Sequence, residues 1–189
     1  DATSIDAVFD QLKLCKQLSA LEDKFKPITV SCTEMDMKNG RDKLYREYGF
    51  EIFQPGERRS ISFVKNVYEG LAKHKYSCGN HIGTNILFSV EMGIPFFLIG
   101  ELVYGINRVS GERVVYERTK EQSDLIEYLI DLFSFPVEEV TEEQNKIIME
   151  ECGLNDCLSP SQLKHSLYKT LFFHDAPRVF RNKFSIYLK

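Results

Sequence analysis

Apolar positions along this chain follow two rhythms that alternate from end to end. Ile5, Val8, Phe9, Leu12, Leu14, Cys15, Leu18 and Leu21 recur at helical spacing with charges between them. With Ser4 ahead as an N-cap, they predict a first helix. Lys26-Pro27 interrupts it, and Ile28–Cys32 reads as a short buried strand. A polar loop covers Thr33–Gly40. Helix resumes over Arg41–Tyr48, with Leu44 and Tyr45 inward and Gly49 closing it. Phe50–Phe53 is a second strand, ended by Gln54-Pro55-Gly56. Ile61, Val64, Val67, Tyr68 and Leu71 then mark the apolar face of another helix. Lys75–Cys78 is a third strand, Thr84–Met92 a helix, and Pro95–Ile99 a fourth, continuously apolar strand.

Alternation of this kind predicts an α/β domain: a doubly wound, Rossmann-like, mostly parallel sheet with right-handed crossovers and helices on both faces. Beyond Gly100 the rhythm fades. Leu102–Val115 reads as a loop with a short edge strand at Arg113–Tyr116. Thr119 opens a helix with Leu125, Leu129, Ile130 and Phe133 on one side. Thr141-Glu-Glu-Gln144 and Ser159-Pro-Ser-Gln162 are capping-box signatures, the second with proline at the first helical position. A basic, aromatic tail closes the chain from Pro177 to Lys189. The organisation expected is a nucleotide-binding domain over 1–135 and a helical extension, 136–189, packed on it.

Composition narrows the partners. The 189 residues carry a formal net charge of −4, which argues against a nucleic-acid binder that relies on bulk positive charge. The longest apolar runs are far too short to span a bilayer, which leaves peripheral membrane association as the one membrane contact compatible with the chain. Cys15, Cys32, Cys78, Cys152 and Cys157 are odd in number and scattered through apolar patterns, a reduced, cytoplasmic usage. Cys152 and Cys157 have first-pair zinc spacing, but His165 and His174 miss the second, so no metal site is read.

The chemistry concentrates between Tyr76 and Glu101. Gly79 and Gly83 let the backbone approach a ligand and adopt positive φ. The first N–H groups of the helix that starts at Thr84 lack intrahelical partners, and its dipole favours negative charge. Asn80 and Thr84 add donors, and His81 adds a proton or a positive charge. Such a set suits a phosphate or pyrophosphate; an ordinary capped helix start accounts for the same residues equally well. No lysine follows Gly83 as in a P-loop, and the dinucleotide glycine spacing is absent. Glu101, just past the fourth strand, suits a hydrogen bond from a ribose or sugar hydroxyl, although a solvated loop glutamate accounts better for this residue taken alone. Glu34 and Asp36 follow the first strand in the same way, or cap the next helix. Arg58 and Arg59 follow the second strand and suit a phosphate. No complete catalytic constellation is present, so the catalytic residues stay unassigned.

The run of strand, Ser77-x-Gly79-x-x-x-Gly83-Thr84, short helix, Gly93-x-Pro95, apolar strand and Gly100-Glu101 resembles the nucleotide-sugar-binding half of GT-B glycosyltransferases. The likeness is strongest to bacterial enzymes of surface-polysaccharide biosynthesis and weaker to sugar-nucleotide 2-epimerases of the same fold. It spans roughly residues 26–135. The resemblance implies a transferase that moves a sugar from a nucleotide-sugar to a glycan acceptor, without a metal or other cofactor. It also implies a second Rossmann-like domain upstream, across a cleft. Gly79, Asn80, His81, Gly83 and Thr84 would then contact the donor phosphates, Glu101 would lie near the sugar or ribose, and Arg58 would pair with phosphate. One position departs from the pattern: where many members have a glutamate five residues before the Gly-x-Pro glycine, this chain has Phe88, with Glu91 almost a turn later. A non-catalytic ligand-binding module of the same fold, or an epimerase-like enzyme, is the alternative.

Overall fold

A computed structural model describes residues 5–107, 109–114 and 118–171. The chain divides into two compact units, Asp1–Ile148 and Met149–Lys189. Among the described residues it is an α/β protein with eight α-helices and three two-stranded sheets.

The chain opens with a strand rather than the expected helix. β1 (Ile5–Val8) pairs antiparallel with β6 (Tyr104–Asn107), Ile5 opposite Asn107. Only then does α1 (Gln11–Ser19) begin, capped by Asp10, whose carboxylate accepts from the Lys13 N–H at 2.8 Å. Apolar residues at 5, 8 and 9 satisfy a helical template, but a partner a hundred residues away claims the backbone of Ile5–Val8, about one helical turn's worth of chain. The same pairing corrects Leu102–Val115. Its described residues pair as in a hairpin, Ile106 opposite Arg113, with the Asn107 N–H donating to the Glu112 carbonyl and the Val114 N–H to the Gly105 carbonyl. Tyr116, the end of the expected edge strand, lies outside the described residues, as do Ser4, His174 and Pro177–Lys189.

Two parallel ribbons carry the rest. β2 (Thr29–Ser31) pairs with β3 (Glu51–Phe53), and β4 (Ser77–Gly79) with β5 (Phe96–Leu98). Between β2 and β3 the expected polar loop holds a helix, α2 (Glu34–Lys38), followed by α3 (Arg41–Glu47). Cys15, Cys32 and Tyr45 are buried together, and Val30, Met37, Leu44, Tyr48, Phe50 and Ile52 pack against them. Burial pushes the Cys32 thiol up to about 11, so it fills space as a small apolar group.

α4 (Phe63–Leu71) links the two ribbons. Ile61 and Val64, expected on its buried face, are exposed: Ile61 lies ahead of the helix, and Val64 is in its first turn. Its close approach to β3 is made at Gly70, where a Cβ would come within 2.7 Å of the Phe53 ring. α5 (Thr84–Glu91) joins β4 to β5 and buries Ile86, Ser89 and Val90. Phe96 of β5 meets Phe133 edge to face, ring centroids 5.9 Å apart. Phe133 follows α6 (Lys120–Leu132), and its carbonyl accepts from the Leu98 N–H at 2.7 Å. Each buried phenylalanine contributes roughly 1.5–3 kcal/mol by removal from water.

The expected capping box at Thr141 starts α7 (Glu142–Glu151), and buried Gln144 serves it twice: its Oε1 accepts from Thr141 N–H and its Nε2 donates to the Leu132 carbonyl. In the second unit, the expected box at Ser159 starts α8 (Pro160–Thr170). Leu163, Leu167 and Leu171, its apolar positions, stay exposed.

Candidate functional site

β4 ends at Gly79 and α5 begins at Thr84, so the residues between them form the turn at the C-terminal edge of the β4–β5 ribbon. The Ile99 N–H donates to the Gly79 carbonyl at 2.9 Å, and the Val103 N–H to the Asn80 carbonyl at 3.0 Å. These two bonds hold the segment after β5 alongside the turn. Gly100, at φ +85°, completes the crossing: a Cβ there would meet Leu14 Cδ1 at 2.9 Å and Asn80 Cβ at 3.7 Å. Two strand ends and one helix N-terminus therefore meet where the sequence places them.

The glycines work differently from the expectation. Neither Gly79 nor Gly83 has positive φ; Gly93 and Gly100 do. Gly83 is extended (φ −175°), a conformation open to any residue. Its lack of a side chain matters for space instead, since a Cβ would lie 2.2 Å from His81 Cε1. The His81 ring thus folds back over the helix start. At Gly79 a Cβ would stand 2.8 Å from Asn85 Nδ2.

Helix α5, like α3 and α4 before it, opens without a side-chain cap. Its N-cap is Gly83, and Thr84 is the first helical residue, not the cap. The Ile86 N–H turns back to the Gly83 carbonyl at 3.1 Å, a tightened first turn. Thr84 is exposed, so its hydroxyl and N–H lie at the surface of the turn. Beside them, two buried side-chain atoms have no hydrogen-bond partner: Asn80 Nδ2, a donor, and Asn85 Oδ1, an acceptor. A buried polar atom without a partner costs about 1–3 kcal/mol, so this turn holds back polar capacity that a ligand would satisfy. Asn85 was missed by sequence reasoning; its one signal is a polar residue opening an otherwise apolar run, Ile86-Leu87-Phe88.

The electrostatics are restrained. Partial burial, then the positive charge of Arg58, lowers the His81 pKa, although the residue as a whole is exposed. Arg58 therefore does act on this turn, and His81 stands there as neutral imidazole. Arg59 is exposed in the same preceding loop. Burial pushes the Cys78 thiol up to about 12, which removes it as a nucleophile at neutral pH.

The acids are committed elsewhere. Glu101 forms an ion pair with Lys13 Nζ of α1, which raises the lysine's pKa through that hydrogen bond. Glu34 pairs with Lys38 at 2.6 Å. Asp36 accepts from both the N–H and the hydroxyl of Thr33 and from Arg41 Nη1, in the capping box of α2. Glu91 accepts from the Tyr68 hydroxyl, and Phe88 packs on the Tyr68 ring with centroids 5.1 Å apart. The turn thus gathers Gly79, Asn80, His81, Gly83 and Thr84, with Glu101 tethered at its edge; Arg58 acts on it only through its charge, felt at His81. His74 lies apart, on a cleft of about 760 Å³ bordered by both parallel ribbons. His165 is exposed on α8.

Chemically, N–H donors, an amide donor and a hydroxyl around a helix N-terminus suit an anion. Among the described residues no cluster of three or more His, Cys, Asp or Glu side chains could hold a metal ion. No helix among them is long and apolar enough to cross a membrane. Comparison with family models, with curated proteins and with solved structures gives no match to this chain.

Proposed function

We propose that this chain is the donor-binding half of a glycosyltransferase of GT-B type, holding the phosphates of a nucleotide-sugar at the start of α5 for transfer of the sugar to a glycan acceptor. The observation that carries the proposal is the uncapped N-terminus of α5 beside the partnerless Asn80 Nδ2. A diphosphate supplies acceptors to both, and the positive charge of Arg58, felt at His81, favours an anion there. Departure of the nucleotide would be assisted by the helix dipole and the N–H groups.

The doubly wound Rossmann-like sheet belongs to the same reading, with the β2–β3 and β4–β5 ribbons as its two halves and a second such domain upstream. So do cytoplasmic placement and surface-polysaccharide synthesis as the setting. Calorimetry of the chain, alone and joined to any α/β region that precedes it, against UDP, GDP, CMP and their sugars tests the proposal. Gly83→Val should abolish binding, because the added side chain drives the His81 ring into the phosphate position. Thr84→Ala should weaken it by roughly ten-fold, one hydrogen bond to a charged group. Silence across the panel overturns the reading.

A second reading, a non-catalytic module of the same fold, is favoured by one observation. Phe88 occupies the position of the ribose-binding glutamate and packs on Tyr68, while the nearby Glu91 is held by the same tyrosine. Binding of nucleotide without transfer by the joined protein would support it, and turnover by the isolated chain would point instead to an epimerase-like enzyme.

A further inference from the structure

Charge and apolar surface are segregated at the C-terminal end of this chain. From residue 157 to 189 there are six basic residues, Lys164, Lys169, Arg178, Arg181, Lys183 and Lys189, and one acid, Asp175. The protein as a whole is negative, with a formal net charge of −4. In the same stretch, α8 leaves its apolar positions in contact with water: Leu163, Leu167 and Leu171 are 48%, 59% and 57% exposed, and Tyr168 is 55% exposed. At a spacing of four residues the leucines fall on one side of the helix. The Lys164 ammonium lies over the Tyr168 ring, 5.9 Å from its centroid, so a cation sits against the exposed aromatic of the same helix. The sequence that follows continues both themes, with Phe172, Phe173, Phe180, Phe184 and Tyr187 among its basic residues.

We propose that α8, with Lys164 and Lys169 among its exposed leucines, forms a docking surface for an anionic lipid bilayer. An amphipathic basic helix lies in a membrane interface with its apolar side among the upper acyl chains and its cations among the headgroups. Each signal alone gives marginal binding, and stable attachment takes two; this segment carries both. The charge selects among occupants. A nucleic acid would answer the lysines and leave the leucines in water. A second copy of α8 would cover the leucines but bring Lys164 and Lys169 against their own counterparts, with no acid between residues 157 and 174 to separate them. An anionic bilayer satisfies the leucines and the lysines together. This surface does not depend on the nucleotide site, and its test is independent of nucleotide binding.

The full chain contains no tryptophan, so Leu167→Trp gives a single reporter on the leucine side. Its emission should be that of a water-exposed indole in solution. It should move to the blue on adding phosphatidylcholine vesicles that contain phosphatidylglycerol, and stay unmoved with phosphatidylcholine alone. The shift should fade near 1 M salt, where the Debye length is about 3 Å. In co-flotation with the same anionic vesicles, Lys164→Ala with Lys169→Ala should lower binding by on the order of 25-fold, about five-fold per lysine. Leu163→Glu with Leu167→Glu should abolish it. Emission already blue before lipid is added overturns the proposal, because the leucines would then be covered by this chain or a second copy. So does equal binding to neutral vesicles, or no flotation at all. The reporter and its salt and lipid dependence decide the matter even where a charge variant fails to fold.

Discussion

The two parallel ribbons share one plan, a strand, a turn, a helical crossover (two short helices in the first, one in the second) and a parallel strand, yet their turns end in opposite conditions. After β2 the chain closes on itself. Thr33 and Asp36 cap α2 reciprocally, and Arg41 completes the set by donating to Asp36 and to the Ala7 carbonyl. After β4 the helix starts on Gly83 without a side-chain cap, and Asn80 and Asn85 keep buried atoms without partners. The shared plan therefore yields one strand end that stabilises the fold and one that is left open to a ligand. What separates them is the residue at the N-cap and the one three positions later, Thr and Asp in one turn, Gly and Ile in the other.

Substitutions on the two sides should break that symmetry in opposite directions. The largest effect is expected at Asp36→Ala, which removes three hydrogen-bond acceptances at once. Loss of a cap with a charged partner should lower stability by about 2 kcal/mol in urea denaturation, while nucleotide binding at the other turn stays unchanged. Asn80→Leu should do the reverse. It deletes a donor that has no partner, so stability should hold or rise by up to about 1 kcal/mol, and calorimetric binding of the nucleotide-sugar should fall. A loss of stability like that of Asp36→Ala would show that Asn80 is a structural residue and the comparison is false.

The smallest effect is one of pH. The folded state holds the His81 pKa below its ordinary value, so the unfolded chain binds a proton more readily. Stability from this residue is therefore full above the ordinary histidine value, near 6.5, and falls as pH drops through it. The urea midpoint should decrease slightly more between pH 7.5 and 5.5 in the native protein than in His81→Gln. An identical pH dependence in the two would remove His81 from the electrostatics of the turn.

Much of this contrast was legible in the sequence, and the parts that were not share a cause. The four parallel strands and the boxes at Thr141 and Ser159 are local signals, and each lies within a residue or two of its expected place. Thr33-x-x-Asp36 is equally local but uses Asp where the usual signature has Glu or Gln, so the sequence pattern predicts a loop at α2. At β1 it predicts a helix, because what decides that strand, β6, lies a hundred residues on. The turn from Gly79 to Thr84 shows in its glycines and its helix start. The engagement of Glu101 by Lys13, 88 residues earlier, has no local trace, and neither does the burial that leaves Asn85 Oδ1 without a partner.

The edges of the ribbons have a consequence that exchange of single protons would read out. The Glu51 N–H donates to the Ile28 carbonyl and the Cys32 N–H to Phe53, so the ladder with β3 uses Ile28, Val30 and Cys32, and the N–H groups of Thr29 and Ser31 turn the other way. In β4 the ladder uses Ser77 and Gly79, and those of Tyr76 and Cys78 turn away from β5. Residues of both strands border the 760 Å³ cleft. Amide deuteration should therefore run in a two-residue beat along each strand, fast at Thr29, Ser31, Tyr76 and Cys78 and slow at Val30, Ser77 and Gly79. Any ligand or partner that joins the ribbons would silence the fast half of that beat and leave the slow half untouched.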